Sequence, residues 1–195
     1  MHIGFIGNGP VATNLAALFR AQGHTTTLSG RSGPQTFASA IMGSDVVVLA
    51  IPFRACAVVL PPLRDALRAK TVIDATNPLA EDYGPLVIDG GRSAAEEIAD
   101  LLPESTVVKA FNTVFADNMS TAKLERGERP VVTIVCADDA PARGYVAALA
   151  QGAGFDAIEA PTLACARYVE AMTHLNIALA FGMQRGTSGA FLYAP

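Results

Sequence analysis

Gly7-Asn8-Gly9-Pro10-Val11-Ala12 carries the spacing G-x-G-x-x-A within the first dozen residues of this 195-residue chain. The chemistry such a stretch can do is binding rather than bond-making: it forms a backbone cradle for the pyrophosphate of a dinucleotide. Gly7 permits a tight turn, Gly9 lets the backbone approach two phosphates, and Ala12 keeps the helix that follows close to its strand. Pro10 suits a first helical turn, where a missing N–H costs nothing. Asn8 and Val11 complete the turn, and the free N–H groups and positive dipole end of the helix face the phosphates. A glycine-rich turn without a ligand is the competing reading. The context favours the nucleotide, because an apolar strand (Ile3, Phe5, Ile6) precedes the turn and a helical pattern (Val11, Ala12, Leu15, Ala16, Phe19) follows it.

The second group with chemistry lies some 20 residues further on, where a ribose-binding carboxylate would stand. That position is Ser29, followed by Gly30-Arg31-Ser32. With no carboxylate to repel it, a 2′-phosphate can be held by the Arg31 guanidinium and the hydroxyls of Ser29 and Ser32. NADP(H) is therefore expected over NAD(H), against the alternative that Arg31 is a solvated loop residue. Lys109 alone is placed where a general acid could act, but a strand-end lysine exposed to solvent or paired with a carboxylate explains it as well, so no residue is assigned as catalytic. His2, His24 and His174 are scattered, and Glu170 with His174, one helical turn apart, reads as a surface pair, so no metal site is expected.

These residues need a scaffold, and the apolar pattern alternates between short β-type runs and helical stretches, as parallel βα units do. Strands are expected at 25–28, 45–51, 71–75, 105–110, 130–136 and 155–160. Between them fall a short helix near Pro34, a helix over 54–68 broken at Pro61-Pro62, and a capped helix from Ser93 (Ser93-Ala94-Ala95-Glu96) to about Leu102. A helix over 140–153 and a long apolar one over 164–181 close the pattern. The expected fold is α/β: a Rossmann-type, doubly wound, mostly parallel sheet in three α/β/α layers, with a C-terminal helix. One domain over 1–195 is expected, with 164–195 closing a cleft or making a dimer contact.

Composition sets the boundaries. The chain is 51% hydrophobic and 16% charged with a net charge of −4, which leaves no electrostatic footprint for nucleic acid. A mean hydropathy of +0.34 fits a thoroughly buried sheet or an apolar interface. No apolar run reaches the ~18 residues of a membrane span, and no leader pattern precedes the first strand. Cys56, Cys136 and Cys165 form no C-x-x-C pair; two of them, inside apolar segments, are expected to be buried thiols, which fits a reducing cytoplasm. Val169, Met172, Leu175, Ile177, Leu179 and Phe181 are too many apolar residues for one helical stripe, so that helix is either buried or shared with a second copy in a homodimer.

Three strand ends carry unusual residues: Ala50-Ile51-Pro52-Phe53, Asp74-Ala75-Thr76-Asn77-Pro78-Leu79 and Val107-Val108-Lys109-Ala110-Phe111-Asn112-Thr113. With Ala137-Asp138-Asp139, Gly154-Phe155-Asp156 and Arg167-Tyr168-Val169-Glu170-Ala171, they cover the chain in order. In these phrases the chain resembles the NADP oxidoreductases that depend on the deazaflavin coenzyme F420. It is similar also to the cytosolic reductase domain of the six-transmembrane metalloreductases. The resemblance implies hydride transfer between NADPH and a deazaflavin or flavin acceptor (coenzyme F420, FMN or FAD). It implies Asn8, Pro10 and Val11 at the pyrophosphate, Arg31 and Ser32 at the 2′-phosphate, Ile51, Pro52 and Phe53 beside the adenosine and ribose, and Asn77, Pro78 and Ala110 near the nicotinamide. Gly30 stands where the family commonly has serine, and Gln35 lies where it often has lysine. Both reacting carbons of such a transfer belong to cofactors, which fits the lack of an assigned acid or nucleophile. Two-domain dehydrogenases need a helical second domain that one terminal helix cannot supply. A non-catalytic NADP(H)-binding sensor is the remaining alternative.

Overall fold

Val46-Val47-Val48-Leu49 are all fully buried, as a strand covered on both faces requires. They make the third strand of a computed structural model that describes residues 1–30, 36–127 and 129–194. In chain order its elements are β1 (His2–Ile6), α1 (Pro10–Ala21), β2 (Thr25–Ser29), α2 (Phe37–Ile41), β3 (Val46–Leu49), α3 (Phe53–Val59), α4 (Arg64–Leu67), β4 (Thr71–Asp74), α5 (Ala94–Leu101) and β5 (Thr106–Lys109). There follow α6 (Thr121–Leu124), a small ribbon of β6 (Glu125–Arg126) and β7 (Arg129–Pro130), then β8 (Val132–Cys136), α7 (Ala140–Gly152), β9 (Asp156–Ala160) and α8 (Ala166–Ile177).

The main sheet runs β2-β1-β3-β4-β5-β8-β9. Every neighbouring pair is parallel except β5 and β8, which are antiparallel with Lys109 opposite Cys136. One apolar layer, including Leu15, Phe19, Val146 and Ala150, joins α1 and α7 to one face. The other, including Ile41, Cys56, Leu67, Ile98 and Ala166, joins α2 to α5 and the start of α8 to the opposite face. The expected Rossmann-like, three-layer α/β arrangement is what forms. Strand order reverses direction between β1 and β3, and ligands of open α/β sheets bind beyond the carboxyl ends of the strands at such a point.

Local chemistry explains the element limits. Pro61-Pro62 ends α3, and a 3-10 turn over Pro61–Leu63 intervenes before α4. Ser93 and Glu96 form both halves of a capping box at the start of α5. The terminal helix departs from expectation: a 3-10 turn over Leu163–Cys165 precedes it and a π turn over Ala178–Gly182 follows it. Its packing is inverted. Its buried residues are Ala166, Val169, Glu170, Thr173 and Asn176, while Leu175 and, in the π turn, Leu179 and Phe181 are exposed by 54%, 42% and 62%. Among the described residues, no helix is long and apolar enough to cross a membrane.

Candidate functional site

Gly7 is required by the fold. Its φ is +131°, and a Cβ there would lie 2.2 Å from Ala50 O, on the neighbouring strand end. Gly9 is not. It sits at φ −75° and ψ −179°, a conformation open to any residue, and a Cβ there meets nothing within 4 Å among the described residues. Gly9 is the N-cap of α1, which has no side-chain cap and no acidic residue in its first turn. The N–H groups and dipole of a twelve-residue helix therefore open onto the space above Gly9 without an acceptor among the described residues to quench them. Asn8 is exposed and packs over Gly30, where a Cβ would come within 2.4 Å of its amide. Ala12 is buried, as close packing of α1 on the sheet requires.

A cleft of about 400 Å³ opens beside this turn. Gly9, Pro10 and Val11 form one wall, Ile51, Pro52 and Phe53 another, and Asn77 lies across from them with Ala75 and Thr76. The ends of β1, β3 and β4 thus bring seven of the expected residues to one crevice. Five others do not line it. Pro78 and Ala110 are buried behind the cleft wall. Arg31 and Ser32 lie outside the described residues. Ser29 is 1% exposed and its Oγ donates to Phe5 O at 2.6 Å, so this hydroxyl is spent inside the sheet rather than open to a phosphate. The loop that completes the cleft, with Leu79, Ala80, Glu81 and Tyr83, has no sequence signal beyond its glycine and proline content; Tyr83 holds a φ of +65° there.

Asn77 is held in place by reciprocal amide bonds. Its Nδ2 donates to Asn112 O at 3.0 Å, and Asn112 Nδ2 donates to Asn77 Oδ1 at 3.0 Å and to Thr173 Oγ1 at 3.0 Å. Two strand ends are so tied to α8. Phe111, at φ +65°, turns the chain out of β5, and its N–H donates to Thr133 Oγ1 at 2.8 Å. Thr76 Oγ1 and Asn112 Oδ1 are buried without a partner among the described residues.

Beneath the cleft floor lies a buried charge cluster. Lys109 is fully buried, with Nζ 2.9 Å from Asp74 Oδ2, 2.8 Å from Glu170 Oε1 and 2.7 Å from Thr76 O. Burial pushes the ammonium pKa down, but Asp74 and Glu170 outweigh it and hold the group above the ordinary lysine range. The solvent-exposed alternative for Lys109 is thereby corrected, and pairing with carboxylates stands. The surface pair expected of Glu170 and His174 is corrected too. Glu170 is 3% exposed and accepts from the N–H groups of Ala94 at 2.8 Å and Ala95 at 3.2 Å, so it neutralises the start of α5. His174 turns instead to Pro78 O, 3.0 Å from its Nε2. Beside them Arg167 holds the Glu96 carboxyl down at about 2, helped by the bonds from Ser93. Burial raises the thiols of Cys56 and Cys136 to about 12, so neither is poised as a nucleophile. No group of three or more metal-binding side chains occurs among the described residues.

A second, larger pocket of about 780 Å³ meets the first at Tyr83. Its lining is mainly apolar, with Pro85, Ile177, Ala178 and Phe181, and its ionisable side chains besides Tyr83 are Asp82 and His174. The segment 164–195, expected either to close a cleft or to make a dimer contact, supplies His174, Ile177, Ala178, Phe181 and Gly182 to this lining. Together the two spaces can seat an extended anion-bearing ligand beside an apolar ring.

Residues 33–78 match the family described as NADP oxidoreductase, coenzyme F420-dependent. The F420-dependent NADP reductase of Methanothermobacter thermautotrophicus is 36% identical over 164 residues, covering 78% of this chain and 66% of that one. Metalloreductase STEAP3 of Rattus norvegicus is 29% identical over 181 residues, covering 87% of this chain and 36% of that one. The crystal structure of a protein from Arthrobacter sp. FB24, described as an F420-dependent NADP-reductase, superposes with a TM-score of 0.87 at 25% identity over 99% of both chains. The chain thus spans 36% to 66% of the length of these two curated relatives.

Proposed function

The chain is a relative of the coenzyme F420-dependent NADP oxidoreductases, and on that footing we propose that it is an NADP(H)-dependent oxidoreductase acting on a deazaflavin or flavin. The observation that carries this reading is Gly9. Neither φ/ψ nor packing demands glycine there, whereas a pyrophosphate approaching the backbone would.

Bound NADPH would supply a hydride, from its nicotinamide, to an acceptor ring. The protein's own part is to bind, orient and keep water out. The backbone from Asn8 to Ala12, at the uncapped end of α1, would hold the pyrophosphate. Ile51, Pro52 and Phe53 would flank the adenosine and ribose, with Arg31 and Ser32 toward the 2′-phosphate. Asn77, braced by Asn112, would mark the nicotinamide end, with Pro78 and Ala110 packed behind it. The apolar pocket of Ile177, Ala178 and Phe181 is the acceptor's place in this reading, with residues 164–195 closing part of the cleft of one domain. Coenzyme F420, FMN and FAD all present a ring of suitable kind. Free thiols, two of the three buried, suit a reducing cytoplasm.

The inverted burial of α8 supports a homodimer. Leu175 and, in the π turn, Leu179 and Phe181 are exposed while Glu170, Thr173 and Asn176 are buried beside Ala166 and Val169, which a second copy covering the exposed side would rationalise. Sedimentation at micromolar concentration is expected to give a dimer, and a monomer would refute it.

The function is tested on one sample. NADPH and NADH are titrated by fluorescence, then FMN, FAD and coenzyme F420 are added separately while nicotinamide absorbance is followed. Preferred binding of NADPH with oxidation by one of these rings is the expected result. Tight binding with no oxidation by any ring refutes the oxidoreductase and leaves a sensor, and no binding at all refutes the nucleotide site.

A further inference from the structure

We propose that His174 selects the acceptor by accepting a hydrogen bond from a ring N–H, through its Nδ1, in the pocket beside the nucleotide cleft. This rests on the reading that a deazaflavin or flavin ring occupies that pocket.

The tautomer follows from the geometry. His174 Nε2 is 3.0 Å from Pro78 O, and a carbonyl oxygen only accepts, so Nε2 carries the proton. In the neutral ring Nδ1 is then an acceptor, and it has no partner among the described residues. The same Pro78 oxygen accepts from Leu86 N at 2.9 Å, which anchors the loop from which the imidazole is oriented. His174 is half-buried and lines a pocket otherwise dominated by Tyr83, Pro85, Ile177 and Phe181. In such surroundings one polar group in a fixed tautomer decides which edge of a flat ring enters first.

Charge narrows the ligand further. Among the described residues the pocket is lined by no lysine or arginine and does have Asp82, so they offer a phosphate or carboxylate tail no counter-charge inside it. The ring enters, and an anionic tail stays outside. An oxidised flavin or 5-deazaflavin carries a single ring N–H, on its imide nitrogen N3, and that is the donor Nδ1 can accept from. A ring whose imide nitrogen is alkylated fills the same space but leaves Nδ1 facing a methyl group.

The test compares riboflavin and 5-deazariboflavin, each as the parent ring and as its N3-methyl derivative, in NADPH oxidation by the full chain. Wild type is expected to favour the parent over the N3-methyl ring by roughly tenfold in kcat/KM, the scale of one hydrogen bond left unmade in a desolvated site. In His174→Ala the ratio is expected to fall to about one through a raised KM for the parent ring, with NADPH affinity unchanged. His174→Gln, whose amide can donate to Pro78 O and still offer an acceptor, is expected to keep most of the discrimination. Equal use of both rings by wild type, or a preference that survives in His174→Ala, overturns the role of His174 while leaving the oxidoreductase reading intact. Failure of wild type to use either parent ring overturns this assignment, because a ring without its tail should still enter, and failure with coenzyme F420, FMN and FAD as well overturns the function itself.

Discussion

Gly9→Ala separates what the fold needs from what a ligand needs. At φ −75° with no atom of the described residues within 4 Å of the added Cβ, alanine fits without strain. Restricting the unfolded chain adds about 0.4–1 kcal/mol of stability. Glycine's advantage over alanine as an N-cap removes up to about 1 kcal/mol. The net change is within about 1 kcal/mol, a shift of no more than roughly 2–4 °C in the melting temperature of a domain this size. Binding is affected far more. A Cβ standing between the backbone and a pyrophosphate breaks at least one hydrogen bond to a charged group, worth about 1.5–3 kcal/mol. That weakens NADPH by roughly tenfold to more than a hundredfold. Fluorescence titration with NADPH, paired with thermal melts of the ligand-free protein, reads both quantities. Gly7→Ala is the contrast, because its Cβ would stand 2.2 Å from Ala50 O at a φ of +131°, and a loss of more than about 3 kcal/mol of stability is expected. If Gly9→Ala bound NADPH within threefold of wild type, the phosphates would not lie over Gly9 and the assignment of this turn would fall.

Lys109→Met leaves Asp74 and Glu170 buried without their cation and is expected to cost about 3–5 kcal/mol in urea denaturation. Because Lys109 is held above the ordinary ammonium range, its contribution is complete below that range and disappears only as pH rises through the folded value. The loss should therefore be the same at neutral and mildly alkaline pH; a cost that vanished in mild alkali would argue against the buried ion cluster. Glu96, drawn from 4.5 down to about 2, contributes stability that is present above 4.5 and lost as pH falls toward 2. Glu96→Gln should cost about 1 kcal/mol near neutrality and close on wild type at the acid end, and parallel curves across that window would count against the Arg167–Ser93 clamp. With Cys56 and Cys136 raised to about 12 by burial, native protein should yield fast reaction of Cys165 alone with a thiol-specific disulfide reagent, and all three thiols after unfolding. Three fast thiols in the native state would contradict that packing.

Much of this molecule is legible locally. The strand runs, the proline break before α4, the Ser93–Glu96 capping box and the glycine turn each depend on residues a few positions apart, so their spacing carries the information. Gly7, Gly9, Ile51 to Phe53 and Asn77 could be placed at one edge because parallel strands all end on the same side. Ser29 shows where this reasoning stops. A missing carboxylate was visible, but not that the hydroxyl would be consumed by Phe5 O on the neighbouring strand.

Lys109 and Glu170 show it more fully. By itself the sequence determined a Rossmann-like α/β chain with a dinucleotide turn at its start, because hydrophobic period and turn chemistry are properties of neighbouring residues. Only the tertiary structure decided that Asp74 stands in register with Lys109, that α8 crosses to give Glu170 to both Lys109 and α5, and that His174 faces an apolar pocket. Those pairings join groups far apart in the chain. They are chosen by which strands lie side by side and by the high cost of burying a charge without its partner, and neither is written in any one stretch.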